Sequence, residues 1–252
     1  MCTVTWWRSG ADDYGVCFNR DELRTRPASR SVAISLTDEG TRFLCGRDMA
    51  AGGTWLLANE HGFIAAVLNH YAAAGLRPPG RRTRGGIPIA LAGCRTIDEG
   101  ASSVGSLTCG DFAPFVLVLW DASGQTSWVW DGATLEPRVN IEPPITTSSY
   151  RTAEVCAWRR QRFDALMSST LRNGRRMRAG ELFTAAERLM CYHHDTEHRD
   201  GAFNVRMRRP DARTESICEV VVNAREVRYR HQRESPDALE ALDEREAAVP
   251  KG

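Results

Sequence analysis

Two β-prone runs open the chain, residues 2–7 and 14–19, and the polar stretch between them, residues 8–13, holds Gly10 and two aspartates. Runs of this kind on either side of a short, glycine-bearing polar segment predict an antiparallel hairpin. The chain is therefore expected to begin inside a sheet. Further strand-like runs at 31–36, 42–46, 54–58 and 63–69 are separated by Gly, Asp and Asn turns, which extends the hairpin into a meander.

A Gly/Pro/Arg loop at 75–86 interrupts this pattern, and short helices at 87–94 and 97–104 and strands at 115–120 and 126–130 are expected after it. Two amphipathic helices are predicted, at about 151–171 and 179–191; in the first, Val155, Trp158, Phe163 and Leu166 fall near helical spacing. Strands at 203–207, 215–222 and 226–229 complete a single expected domain, 1–231. The acidic, alanine-rich tail at 232–252 reads as a surface helix or a frayed end. Strands, then helices, then strands again predict an α+β fold with a sheet-rich core covered by helices, rather than a doubly wound parallel sheet.

Composition narrows the function classes. With 33 basic against 32 acidic residues the formal net charge is +1, so no global field gathers nucleic acid or anionic membrane. Arginine clusters at Arg81, Arg82 and Arg84 and at Arg172, Arg175, Arg176 and Arg178 sit among Gly, Pro and Asn and read as solvated loops. The apolar run at 115–120 is far below the ~20 residues needed to span a bilayer, and the start has no basic-then-apolar signal pattern. A cytoplasmic protein with no membrane span is expected. Eight cysteines are scattered without CxxC spacing, which argues against a zinc ribbon or a thioredoxin motif. Neither a GxGxxG nor a Walker loop is present, so no nucleotide cofactor is expected.

Cys2 directly follows Met1. Loss of the methionine would leave a thiol and a free α-amine on one residue, and an amine with a pKa near ~7.7–8.0 can take the thiol proton without a separate histidine. Taken alone, a second-position cysteine reads as an inert end. Its context is the run Asn19-Arg20-Asp21-Glu22, then Arg26-Pro27-Ala28, Arg47-Asp48 with residues 51–56 reading AGGTWL, and Leu68-Asn69. These ordered motifs resemble the NRDE family, which includes the transport and Golgi organisation protein 2 of animals. More distantly the arrangement is similar to cysteine amidohydrolases such as penicillin V acylase and bile salt hydrolase.

The resemblance implies a four-layer αββα N-terminal-nucleophile fold, two stacked antiparallel sheets flanked by helices. It implies a hydrolase acting on a linear amide or other small acylated molecule, with Cys2 as nucleophile, Arg20 and Asp21 orienting it, Asn69 donating to the oxyanion and Arg213 supporting from a late strand. Where the hydrolases carry a second asparagine this chain has hydroxyl residues, Thr147 and Ser148 among them, and these with Trp6 and Trp55 are the expected substrate-contacting residues. Arg20 and the protonated α-amine are expected to lower the Cys2 thiol pKa. The alternative for Arg20 and Asp21 is a structural ion pair, and for Arg213 an ordinary surface turn residue. A non-catalytic lipid or haem carrier is the alternative function that the family resemblance leaves open. A third reading starts from His194, Glu197 and His198, which fit H-x-x-E-H, a zinc hydrolase pattern. That segment is polar on every side and has no apolar stripe to anchor a catalytic helix, so a solvated loop is the simpler expectation and no metal is assigned.

Overall fold

The computed structural model describes residues 1–71, 80–168, 171–172, 175–176, 184–234 and 242–252. The expected helix start at 179–183, Arg178 and residues 75–79 of the expected loop lie outside them.

The opening hairpin forms as predicted from β1 (Cys2–Gly10) and β2 (Asp13–Leu23), with Cys2 paired to Arg20 and Val4 to Phe18. It sits inside a six-stranded antiparallel sheet with β10 (Ile145–Thr147) on one side and β13 (Ala212–Val222), β14 (Glu226–Glu234) and β15 (Leu242–Pro250) on the other. The meander forms a second, seven-stranded sheet in simple sequence order. It comprises β3 (Arg30–Leu36), β4 (Arg42–Arg47), β5 (Leu56–Asn59), β6 (Ile64–Asn69), β7 (Phe115–Asp121), β8 (Gly124–Trp130) and β9 (Leu135–Arg138). Residues 171–172 and 175–176 pair as a small ladder, β11 and β12.

Side-chain alternation decides how these sheets stack. In β1, Val4 and Trp6 join Val16 and Phe18 of β2 in one core cluster with Leu56, Ile64, Leu68, Val118 and Trp120 of the second sheet, so these faces meet. The odd-numbered set turns away: Cys17 packs with Phe163 of α3 (Thr152–Ser168) and with Leu189 and Tyr192 of α4 (Ala185–His193). On the outer face of the second sheet, Phe63, Leu117 and Leu119 pack with Ile87 of α1 (Gly86–Ala90) and Val104 of α2 (Ile97–Gly105). The result is the αββα stack. Among the described residues no helix is long and apolar enough to cross a membrane.

Two of the expected elements differ, and β9, β10 and the β11–β12 ladder, the last within the arginine cluster read as a solvated loop, form where no strand is expected. Residues 203–207 form no strand; they are a buried irregular segment whose backbone is consumed elsewhere, with Val205 O accepting from Asn19 Nδ2 at 2.8 Å and Met207 N donating to Thr214 Oγ1 at 2.7 Å. The expected helical or frayed tail is instead strand β15, paired along its length with β14. Its acidity has a local reason, since Glu246 stands opposite Arg230 and Glu244 opposite Gln232, whose Nε2 donates to it at 2.6 Å. An acidic strand complements an arginine-rich neighbour.

Candidate active site

The NRDE run lies on β2, and its period of two sends alternate side chains to opposite faces. Arg20 and Glu22 face the cleft at the sheet end. Arg20 Nη1 lies 3.0 Å from Glu215, Nη2 lies 3.3 Å from Glu22 and 3.6 Å from Asp48, and the guanidinium stacks 4.7 Å over the Trp55 ring. Burial alone would raise the Glu215 carboxyl, but Arg20 and the Ser29 backbone and hydroxyl donors outweigh it and hold it below the usual range.

Asn19 and Asp21 turn toward the helices. Asn19 Oδ1 is 2.7 Å from His193 Nδ1, and His193 Nε2 is 2.7 Å from Thr5 Oγ1, a fully buried chain that fastens α4 to the hairpin. Burial lowers the His193 pKa to about 3, so the ring is neutral. Asp21 Oδ2 lies 3.4 Å from Arg159 of α3, whose Nη1 also donates to Thr3 Oγ1 at 2.7 Å, and Asp21 Oδ1 accepts from Thr214 Oγ1 at 2.6 Å. Burial raises the Asp21 pKa despite Arg159, the amino terminus and Thr214, which pull the other way.

A cleft of about 250 Å³ opens over this corner, and Cys2, Arg20, Asp21 and Asn69 all line it together with Trp55 and Arg84. The strands bring these residues together from separate parts of the chain. Met1 N donates to Asp21 O at 3.3 Å and to Tyr71 Oη at 2.9 Å, and Asn69 Nδ2 donates to the same Tyr71 oxygen at 2.8 Å. The Met1 side chain is buried with Met207, Ala212, Tyr71 and Tyr150. Burial pushes the Tyr71 hydroxyl up to about 12. It also raises the Cys2 thiol, against smaller opposing effects of the amino terminus and Arg20. The expected lowering of that thiol is therefore corrected: desolvation of the anion outweighs the nearby positive charge.

Other expected residues lie elsewhere. Trp6 is a core residue, edge-on to Trp120 at 5.7 Å between the sheets, and does not line the cleft. Arg213 pairs across β13 with Glu22 but is not among the cleft-lining residues; Thr214 and Glu215 are the β13 residues that touch Asp21 and Arg20. Thr147 stands opposite Cys2 in the β1–β10 ladder, and its buried Oγ1 has no hydrogen-bond partner. Ser148 Oγ instead contacts Met1 Sδ at 2.9 Å and donates to Tyr150 O at 2.6 Å. The zinc pattern comes apart. His194 Nε2 faces Gln232 at 3.0 Å, His198 is packed against Trp158 and Phe203, and Glu197 is exposed. Among the described residues no group of three or more His, Cys, Asp or Glu is placed to hold a metal.

Besides Thr214 and Glu215, three residues of this corner escaped the sequence reading. Arg159 carried a signal, a charge four residues from both Val155 and Phe163 on the buried helix stripe. Tyr71 follows Asn69 by two and carried none. Arg84, read as part of a solvated loop, is half-buried at the cleft because Thr54 N donates to Gly85 O at 2.9 Å and holds that loop against the segment that leads through Trp55 into β5. A Cβ on Gly53 would meet the Gly85 carbonyl carbon at 2.5 Å, so the second glycine of AGGTWL permits this approach. A larger hollow of about 420 Å³, between α4 and the outer strands, contains none of the expected site residues.

A family model described as Transport and Golgi organisation 2 matches residues 1–233. No curated protein matches the sequence. Two crystal structures of the conjugated bile acid hydrolase from Clostridium perfringens are similar in fold, one a cysteine-to-alanine mutant and the other an arginine-to-leucine variant. Each aligns at a TM-score of 0.51 and 11% identity over 99% of this chain, covering 92% and 96% of the respective hydrolase chains. The αββα stack is thus that of the N-terminal-nucleophile hydrolases.

Proposed function

Because this chain belongs to the transport and Golgi organisation 2 family, we propose that it is an N-terminal cysteine amidohydrolase acting on a linear amide or another small acylated molecule. The observation that carries this reading is the convergence of Cys2, Arg20, Asp21 and Asn69 on one small cleft at the end of the sheet. At about 250 Å³ the cleft lies below the ~300–1,000 Å³ typical of drug-sized ligands, which suits a short acyl group.

Removal of Met1 frees the Cys2 α-amine. As Sγ attacks the acyl carbonyl the amine takes the thiol proton, which accommodates a thiol that burial keeps protonated at rest. The tetrahedral oxyanion is met by the Asn69 amide and by Thr147 Oγ1, a donor otherwise unused beside Cys2. Collapse breaks the C–N bond, and the leaving amine receives the proton from the α-ammonium. Water, giving its proton to the α-amine, then attacks the thioester and releases the acid and the thiol. Arg20 is held by Glu215, and Asp21 by Arg159 and Thr214, so both sit in fixed orientation around the amine. A reducing, cytoplasmic setting belongs to this reading, because it keeps the nucleophilic thiol reduced.

The elevated Cys2 thiol is the one observation that favours the second reading, a lipid or haem carrier. Intact mass decides between them. The enzyme reading expects a chain beginning at Cys2 that gains one acyl mass on incubation with an activated acyl ester, and loses that gain in Cys2→Ala. A chain retaining Met1 in its functional form, or one inert to acyl donors, overturns it.

A further inference from the structure

Three arginines line the cleft, and two of them are neutralised within it. Arg20 is paired with Glu215, Glu22 and Asp48, and Arg26 with Asp48 at 2.5 Å and Glu22 at 3.5 Å. Arg84 is different. Its Nη1 donates to the neutral Pro114 carbonyl at 2.9 Å, and among the described residues it forms no ion pair. Cys2, Tyr71 and Glu22 lie close enough to act on it electrostatically, and burial lowers its pKa from the usual arginine range, although a guanidinium stays charged at neutral pH.

A half-desolvated cation with no carboxylate in contact is costly to keep, and a ligand anion that reaches it recovers part of that cost. The planar fork of a guanidinium matches a carboxylate in two parallel hydrogen bonds. The Glu22 and Asp48 carboxylates across the same cleft favour a singly charged group over a phosphate dianion.

We propose that Arg84 anchors a carboxylate on the substrate, so that the acylated molecules this cleft accepts are acyl amides bearing a free carboxylate, the N-acyl amino acid class. The inference rests on the reading of Cys2 as nucleophile, and its test is chosen to stand apart from turnover.

Full-length Cys2→Ala protein is titrated calorimetrically with N-butanoylglycine and with its neutral partner N-butanoylglycinamide. The carboxylate is expected to bind about tenfold more tightly. That preference should shrink as sodium chloride is raised from about 0.05 to about 0.5 M, vanish in Arg84→Gln and persist in part in Arg84→Lys. Equal affinities, no measurable binding of the carboxylate, or an undiminished preference in Arg84→Gln overturns the proposal. Should Arg84→Gln not fold, the salt series on the parent and Arg84→Lys carry the decision. A carboxylate preference through Arg84 in a protein that never hydrolyses amides would overturn only the amidohydrolase reading.

Discussion

At the scale of single residues the balance between burial and charge governs Cys2. A thiolate in this corner gains from Arg20 and the amino terminus but loses more by leaving water. Iodoacetamide should therefore label Cys2 appreciably only above the ordinary thiol value of ~8.5, and Arg20→Gln should move the profile further up by removing one stabilising cation. A labelling plateau below neutral pH would contradict this. Arg20→Gln also leaves Glu215 buried without its guanidinium, so a loss of about 3–5 kcal/mol is expected in urea unfolding. Asn69 and Thr147 answer to a different readout. If both donate to the oxyanion, Asn69→Ala and Thr147→Val each lower kcat by about 10²–10³ with little change in KM. A change confined to KM would make them ground-state contacts.

At the scale of elements, the two buried polar links from β2 to the helices show what the sequence disclosed and what it concealed. The alternation along β1 and β2 was legible, and with it the cleft end carrying Cys2 and Arg20, because a period of two needs no knowledge of partners. The partners were not legible. Arg159 reaches Asp21 from a helix 138 residues away, and Arg84 reaches the cleft only because Gly53 lets the Gly85 backbone close in. Arg213 was assigned by likeness to a motif, and Trp6 only as an aromatic side chain able to line an apolar cleft. The bulge between Thr214 and Ser216 is what hands contact with Arg20 to Glu215, and no local pattern announces a bulge. The His193 link gives a signed test. Its folded pKa, about 3, is below the unfolded value of ~6.5, so its stability contribution is whole above that unfolded value. As pH falls below it the unfolded chain binds a proton that the folded ring refuses, and stability is lost down to about 3. Urea unfolding at pH 7 and pH 5 should show the parent losing about 2 kcal/mol more than His193→Gln over that interval. Equal losses would mean that the ring is protonated in the folded state.

At the scale of the whole molecule the sheet that presents Cys2 at one edge region ends, at the other, on the strand that composition concealed. β15 covers β14 from Glu226 to Glu234, and Val249 is buried in the core between the sheets with Val227 and Tyr229. The chain end is tied down further by Gly252 N donating to Glu60 O at 3.0 Å, which connects it to the second sheet. Deleting residues 242–252 would therefore do two things at once: bare the hydrogen-bonding edge of β14 and open the inter-sheet core beside it. An uncovered edge with apolar side chains recruits a second strand, so the truncated protein should unfold at lower temperature and run as dimers or larger species by light scattering. Three strands, β2, β13 and β14, separate β15 from the strand of Cys2, and in whatever fraction stays folded the Cys2 labelling profile should match the parent's. A truncated chain that is monomeric with unchanged melting would show that β15 merely rests on a sheet complete without it. A monomeric chain with a lower melting temperature would show that the core contact through Val249, rather than edge protection, is what the strand contributes.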